Sequence, residues 1–454
     1  MAKYQTYAEY KDSGVEWLEN VPREWDIIKI KHLSTVKRGA SPRPIDDPKY
    51  FDDNGEYAWV RIADVSASDM YLLNTTQTMS DLGSSLSVKL EPNQLFLSIA
   101  GTVGKPCINK IKACIHDGFV YFPELKIPNK YLFYVFAGEQ AYKGLGKMGT
   151  QLNLNTDTVG DIKVALPKSQ SDIYKIIEFL DHETTKIDHL IKKQQQLIEL
   201  LKEKRQAVIS HAVTKGLDPN VPMKDSGVEW LGEVPEHWKV TRFKFLCDNI
   251  VAGPFGSSIT KDMYVNQGFK VYGQEQVIPN NFEIGDYYIS EKNYKELARY
   301  AVDPGDILIS CVGTFGKIAV FPSNGEKGII NPRLIKATLS KDHNSYFYRE
   351  FLKSEAVFKQ FEQLSRGGTM GVINIAILNE IVAVAPDTNE QEAIYVFIAE
   401  QKIKFSHLIG RACEQIELLK ERRTALISAA VTGKIDVRNW QASTVAEANT
   451  ELSA

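Results

Sequence analysis

Two segments of the chain place residues at alternating spacings of four and three, the period of a helix that buries one narrow stripe. In the first, Ile173, Ile177, Leu180, Thr184, Ile187, Ile191, Gln194, Ile198, Leu201, Arg205, Val208 and Ala212 mark the stripe, and Leu190, Leu197 and Leu200 widen it. In the second, Tyr395, Ile398, Lys402, Phe405, Ile409, Ala412, Ile416, Leu419, Arg423, Leu426 and Ala430 do the same, with Leu408 and Leu418 beside them. Pro167 and Pro386 precede these segments and Gly216 and Gly433 follow them, as start and stop signals should. Each stripe predicts a helix of about 40 residues, about 60 Å long. Such a helix is not stable alone, so two equivalent ones in one chain are expected to pair, antiparallel, as a coiled coil.

Ahead of each stripe the pattern changes. Short apolar runs such as QLFLSIA, GFVYF, DILISCV and KIAVF are bounded by Gly, Pro, Asn and Asp, which predicts short strands joined by turns. One helical stretch interrupts each region, KYLFYVFAGEQAYKGL in one and SYFYREFLKSEAVFKQF in the other.

These patterns occur twice because the sequence is duplicated. KDSGVEWLENVPREW at 11–25 returns as KDSGVEWLGEVPEHW at 224–238, with 11 of 15 positions identical. S-x-x-G-T-x-G-K at 98–105 returns at 310–317, and GDIKVALP ending at Pro167 returns as NEIVAVAP ending at Pro386. IELLKEKRQAVISHAVT at 198–214 returns as IELLKERRTALISAAVT at 416–432, with 13 of 17 identical. The flanking blocks are nearly the same, while residues 26–168 and 239–388 share only short landmarks. A common frame therefore carries two divergent inserts.

The expected fold is α+β: two β-rich domains in an internal tandem repeat, joined by two long helices. Its divisions are a repeated N-terminal segment (1–25), a first insert (26–168), a central repeated region with a long helix (169–238), a second insert (239–388), a C-terminal long helix (389–436) and a disordered tail (437–454).

Composition narrows the functional classes. The 454 residues carry a net charge of −3, with 43% hydrophobic and 24% charged residues, ordinary values for a globular protein. No apolar run is long enough for a membrane span and the start lacks a signal-peptide core, so no membrane association and a cytoplasmic location are expected. Five scattered cysteines, Cys107, Cys114, Cys247, Cys311 and Cys413, form no C-x-x-C pair and read as reduced structural thiols. The acidic balance means that any grip on nucleic acid must come from local basic patches or from a partner.

Catalytic signatures are missing. G-T-V-G-K resembles a phosphate loop, but Ile99 and Pro106 stand where a glycine and a hydroxyl are needed, and Cys311 and Ile318 fail the same test in the second copy. Asp117, Glu124 and Lys126 could suggest a metal-dependent nuclease, yet the second unit has no counterpart. No cofactor and no metal site is expected in this chain.

The loops at the edges of the inserts suit a polyanion instead. RGASPRP supplies Arg38, Ser41 and Arg43, and AGPFGSS supplies Ser257 and Ser258. GKMGTQLNLN supplies Lys147 and Gln151, and SRGGTMGVIN supplies Arg366 and Thr369. Lys105 and Lys317 sit in the repeated turns, and Arg61, Gln274 and Gln276 are further candidates. Hydroxyls, lysines and arginines can hold phosphates, while Arg, Gln and Asn can read base edges. Gly101, Gly104, Gly313 and Gly316 are explained by turns alone, and Trp17, Trp25, Trp230 and Trp238 read as core.

A doubled D-S-G-V-E-W-L-x-x-V-P-x-x-W block, two S-x-x-G-T-x-G-K inserts and two I-E-L-L-K-E-[KR]-R helices together resemble the DNA-specificity subunit of type I restriction-modification systems, over residues 4–436. That resemblance implies that each insert is a target-recognition domain reading half of a bipartite, asymmetric DNA site. It also implies that the helices are the spacer and dock two methyltransferase subunits, with two restriction subunits completing the complex. S-adenosylmethionine, ATP and magnesium would then belong to those partners. Two other classes stay open on the residues alone: a stand-alone nuclease or methyltransferase, and a coiled-coil scaffold joining two protein ligands.

Overall fold

The computed structural model describes residues 4–143, 145, 154–255, 258–311, 316–364 and 373–442. It divides into two units, residues 1–195 with 413–454, and residues 196–412. Each long helix contributes to both. The first spans Gln170–Lys215 and the second Thr388–Val431.

In the first unit, Ile173, Ile177, Leu180 and Ile187 of the first helix share a core with Leu426, Ile427 and Ala430 of the second, and Arg423 reaches Asp188 at 2.9 Å. In the second unit, Ile209, Ala212 and Val213 share a core with Ile394 and Ile398. The beginning of each helix thus lies with the end of the other, so the pair runs antiparallel. Every residue of both stripes is buried or half-buried, Thr184 and Lys402 included. Thr184 satisfies its hydroxyl by donating to the Leu180 carbonyl, one turn back. The widening leucines behave differently from expectation: Leu197, Leu200, Leu408 and Leu418 are exposed, at 43%, 61%, 37% and 56%. A two-helix seam covers only a narrow stripe of each helix, and these side chains stand beside it.

Each unit starts from its repeated block. Tyr10–Asp12 pairs antiparallel with Asn20–Pro22, and Met223–Asp225 pairs with Glu233–Pro235 in the same way. Trp17, Trp25 and Trp238 are buried, and Trp230 is half-buried with its indole N–H donated to Gln363. A two-stranded ladder closes the base of each insert: Asp26–Lys29 with Lys163–Leu166, and Lys239–Arg242 with Val382–Ala385. Above each ladder lie two small sheets. In the first insert, Lys37–Arg38, Phe119–Tyr121, Leu95–Ser98, Pro106–Asn109 and Tyr71–Leu72 make one, and Thr78–Met79, Tyr57–Val60, Ala113–Ile115 and Val88–Leu90 make the other. The second insert repeats this scheme with two four-stranded sheets.

The first unit is closed by distant parts of the chain. Tyr10 Oη donates to the Gly433 carbonyl at 3.0 Å, and Asp436 N–H donates to the Gln5 carbonyl at 2.8 Å. This docking corrects the expected start of the tail. Val437 is buried, Arg438 pairs with Asp436 and Glu24, and Trp440 packs edge-on against Phe179 at 5.4 Å. Residues 443–454 lie outside the described residues.

One buried carboxylate ties the second helix to its unit. Glu350, on the helix Ser345–Leu352, accepts from Arg349 at 2.7 Å and pairs with Lys402 of the seam at 2.6 Å. Burial alone would raise its pKa, but Lys402 and Arg349 outweigh burial and hold it below the ordinary glutamate value. A depressed carboxylate contributes stability that is present above about pH 4.3 and lost as pH falls through the lower, folded value. Glu350→Gln should therefore lower stability near neutrality by about 2 kcal/mol, since Lys402 keeps some solvent. The variant should also lose less than the parent between pH 5 and 3. Parallel thermal melts across that range check this, and equal slopes would refute it.

Candidate nucleic-acid interface

Each insert has a concave site where two parallel strands end. In the first insert, Tyr57–Val60 pairs parallel with Ala113–Ile115. In the second, Phe269–Tyr272 pairs parallel with Gly328–Ile330. Past the ends of these strands opens a cavity of about 650 Å³ in the first insert and one of about 220 Å³ in the second.

Strand register aligns the two cavities position by position. Val60 pairs with Ile115 and Tyr272 with Ile330, so Trp59 corresponds to Val271, Arg61 to Gly273 and His116 to Asn331. The next strand extends the match, because Trp59 N–H donates to the Gln77 carbonyl and Val271 N–H to the Tyr287 carbonyl. Phe51 bridges Met79, and Tyr264 pairs with Ile289. Five matched pairs therefore line the cavities: Phe51 and Tyr264, Trp59 and Val271, Arg61 and Gly273, Gln77 and Tyr287, His116 and Asn331. The backbone is common; the side chains differ.

The loop that follows Lys37–Arg38 in the first insert, and Cys247–Ala252 in the second, packs on this site. Gly39 N–H donates to the Phe119 carbonyl and Gly253 N–H to the Leu334 carbonyl, both at 2.9 Å. A Cβ on either glycine would stand about 2 Å from a carbonyl oxygen, that of His116 or Asn331, so no larger residue fits without moving the loop.

The expected contact residues divide accordingly. Ser41 and Arg61 line the first cavity. Arg38 and Arg43 lie at its rim, Arg38 donating to the Asp117 carbonyl at 2.6 Å and Arg43 pairing with the Asp117 carboxylate at 3.2 Å. Gln274 lines the second cavity and donates to Ser310 Oγ at 2.6 Å. Gln276 is a correction. It is fully buried, its Oε1 accepts the Gly273 N–H, and its amide donates to the Ile284 carbonyl, so it braces the loop and cannot reach a base. Ser258 is exposed in a turn and does not line the cavity. Lys105 and Lys317 lie outside both linings, Lys105 half-buried and Lys317 exposed. Gly101, Gly104 and Gly316 have positive φ, as the expected turns require. Lys147, Gln151, Ser257, Arg366 and Thr369, with Gly313, lie outside the described residues.

Sequence reasoning missed His116, Gln77 and Trp59, and Asn331 and Tyr287. A signal existed in Ile115-His116 and Ile330-Asn331, each an apolar strand ending in a polar cap. Gly118 N–H donates to His116 Nδ1 and Arg333 N–H to Asn331 Oδ1, both at 2.9 Å. With Nδ1 accepting, the neutral imidazole carries its proton on Nε2. Burial lowers the His116 pKa against the opposing pull of Asp117, which favours that neutral form. The ring is also held between Trp59 and Phe119, with centroids 5.7 and 4.6 Å away.

The described residues contain no group of three His, Cys, Asp or Glu arranged to hold a metal ion, and no helix long and apolar enough to cross a membrane. Burial pushes the Cys107, Cys114 and Cys247 thiols up to about 12, a setting for inert structural cysteines.

Comparison with known proteins agrees with this geometry. The family model for the type I restriction modification DNA specificity domain matches twice, at residues 22–199 and 235–410. The type I restriction enzyme MjaVIII specificity subunit of Methanocaldococcus jannaschii is 22% identical over 446 residues, covering 95% of this chain and 98% of that protein. Among solved structures, a chain from a study of complex assembly and conformational transition of the type I R-M system aligns over 90% of this chain and 98% of its own, with a TM-score of 0.64 and 14% identity. The HsdS subunit from Thermoanaerobacter tengcongensis aligns over 91% and 98%, with a TM-score of 0.50 and 14% identity, so both report on fold. The chain thus belongs to the type I restriction modification DNA specificity family, carries two copies of its domain, and is a DNA-recognition subunit.

Proposed function

We propose that each insert reads one half of a bipartite, asymmetric DNA sequence and that the chain delivers this choice to methyltransferase and restriction subunits. The observation that carries the reading is the matched pair of cavities: one backbone site, built twice, lined by five corresponding positions with different side chains. A duplicated frame holding two divergent linings is what reading two unlike half-sites requires. The chain acts as a specificity subunit rather than a catalyst, with S-adenosylmethionine, ATP and magnesium belonging to the partners. The stoichiometry we propose is two methyltransferase subunits, with two restriction subunits in the full complex. Leu200 and Leu418, exposed at equivalent places in the two repeated helix blocks, supply two copies of one apolar contact for two copies of one partner. The purified chain should leave duplex DNA unmethylated until the modification subunit is added, when adenines in a gapped motif become modified. Methylation by the chain alone would overturn the proposal.

Lys317 offers a test of the electrostatic share. It is exposed directly before the strand Ile318–Val320, where a cation is within reach of a phosphate carried along the surface. Lys317→Ala should weaken binding of the assembled complex to all sequences alike and reduce the slope of log K against log salt by about one. An unchanged slope in a salt titration would leave Lys317 without a phosphate contact.

A further inference from the structure

The two cavities differ at every lining pair, yet one pair behaves alike. Phe51 and Tyr264 are aromatic, Trp59 and Val271 apolar, and Arg61 faces a glycine in the other copy. Gln77 and Tyr287 are exposed and match only through their backbone carbonyls. His116 and Asn331 are both half-buried hydrogen-bonding side chains, and each uses its acceptor atom to cap the backbone N–H two residues on. That bond fixes the side chain's rotation. It also leaves the donor end, Nε2–H in His116 and the amide NH₂ in Asn331, as the part that remains to meet a ligand.

We propose that the residue ending the second parallel strand, His116 in the first recognition domain and Asn331 in the second, is a matched base-discriminating position that presents a fixed donor to an acceptor on a base edge. The proposal rests on the reading of the inserts as DNA readers and goes beyond it by naming one position in each. The chemistry in the two copies is not the same. His116 has its acceptor occupied and acts as a single donor, and Arg61 lines the same cavity. Two donor groups lining one cavity suit a base with two acceptors in the major groove, the N7 and O6 of guanine. Asn331 shares its cavity with Gln274, so a carboxamide partner is at hand, and amides pair with the N7 and N6 of adenine. The packing of His116 between Trp59 and Phe119 serves the same end, since a reader that cannot swing cannot follow a wrong base. The amide of Asn331 is held over Gly273, where an added Cβ would come within 2.4 Å of its nitrogen.

The structure supplies its own conservative variant. Asn performs the capping bond at 331, so His116→Asn can keep the cap while replacing the donor, and Asn331→His is the converse. The full chain, co-produced with its modification subunits, would be tested against duplex libraries in which each base pair of the parent's motif is randomised in turn. Thermal melts and binding to an unrelated duplex at several salt concentrations run alongside. His116→Asn should keep the melt and the salt slope but shift preference by about tenfold or more at one base pair of one half-site. Asn331→His should do so at one base pair of the other half. His116→Ala, which loses cap and donor together, should lower both the melt and the discrimination.

An unaltered preference profile in both conservative variants, or an equal loss at every position, would make 116 and 331 loop caps only and overturn the proposal. A parent complex with no sequence preference at all would instead defeat the wider reading of the inserts, so the two failures are separable.

Discussion

Exchanging residues 26–168 for the corresponding insert of a relative is expected to replace one half of the methylated motif and leave the other half unchanged. The physical basis is the closed base of the insert. Asp26–Lys29 and Lys163–Leu166 form one antiparallel ladder, so entry and exit strands are neighbours and both cuts fall at the same edge. The first cavity is lined wholly by residues between Ser41 and Asp117, inside the exchanged segment. The repeated block and the long helices are left intact, and their near identity between the two units shows that one frame accepts different inserts. Misreading roughly three base pairs at about 1–3 kcal/mol each lowers affinity for the old half-site on the order of 10³-fold or more. Genome-wide mapping of methylated adenines would read out both halves at once. A motif altered in both halves, or in neither, would show that the inserts are not independent readers.

The largest effect on stability is expected at Trp238. Its side chain is fully buried, and its indole N–H donates to Glu390 Oε2 at 2.8 Å, at the start of the second long helix. Gly216, in the left-handed conformation with φ +79°, brings the chain leaving the first helix against the same ring. Trp238 thus holds one end of each helix to the repeated hairpin within its unit. Trp238→Ala removes about 3–5 kcal/mol through lost packing and an unfilled cavity, and it takes the indole donor from Glu390, which keeps His237 at 2.9 Å. For a unit of this size each kcal/mol moves the melting temperature by about 2–4 °C, which predicts a fall of roughly 6–20 °C. The half-buried Trp230 serves as the comparison, and its Ala variant should melt much closer to the parent. Calorimetry of the two variants decides the matter, and a similar small shift in both would show that Trp238 is not the keystone of this junction.

The first unit makes the same junction with different connectivity. Trp25 packs against Gly433 as Trp238 packs against Gly216, but Gly433 arrives from the far end of the chain. A duplication written in tandem is therefore folded with its first unit assembled from both termini. The order of blocks shows that the parts are equivalent, while which copies pack together is a matter of long-range contact.

That distinction runs through the whole molecule. Periodicities set by neighbouring residues are legible in the chain: the four-three stripes are the buried seams of helices at Gln170–Lys215 and Thr388–Val431, and Pro167, Gly216, Pro386 and Gly433 bound them. The duplication, too, is a property of residue order, and it carries the family assignment. What sequence alone did not determine are the features made by pairing across distance. The cavities exist because Tyr57–Val60 meets Ala113–Ile115 and Phe269–Tyr272 meets Gly328–Ile330 in parallel, a register no local pattern specifies. Hence Gln276, which looks like a base reader by type, is buried as a loop brace, and His116, which looks unremarkable, stands at the cavity wall. Leu200 and Leu418 are exposed because a paired helix has only one covered face, and Val437 and Trp440 are held because Tyr7, Trp25 and Phe179 already form the surface they dock on. Helical and strand periods follow from backbone hydrogen bonds a few residues apart, whereas sites follow from which strands become neighbours, and only the tertiary structure decides that.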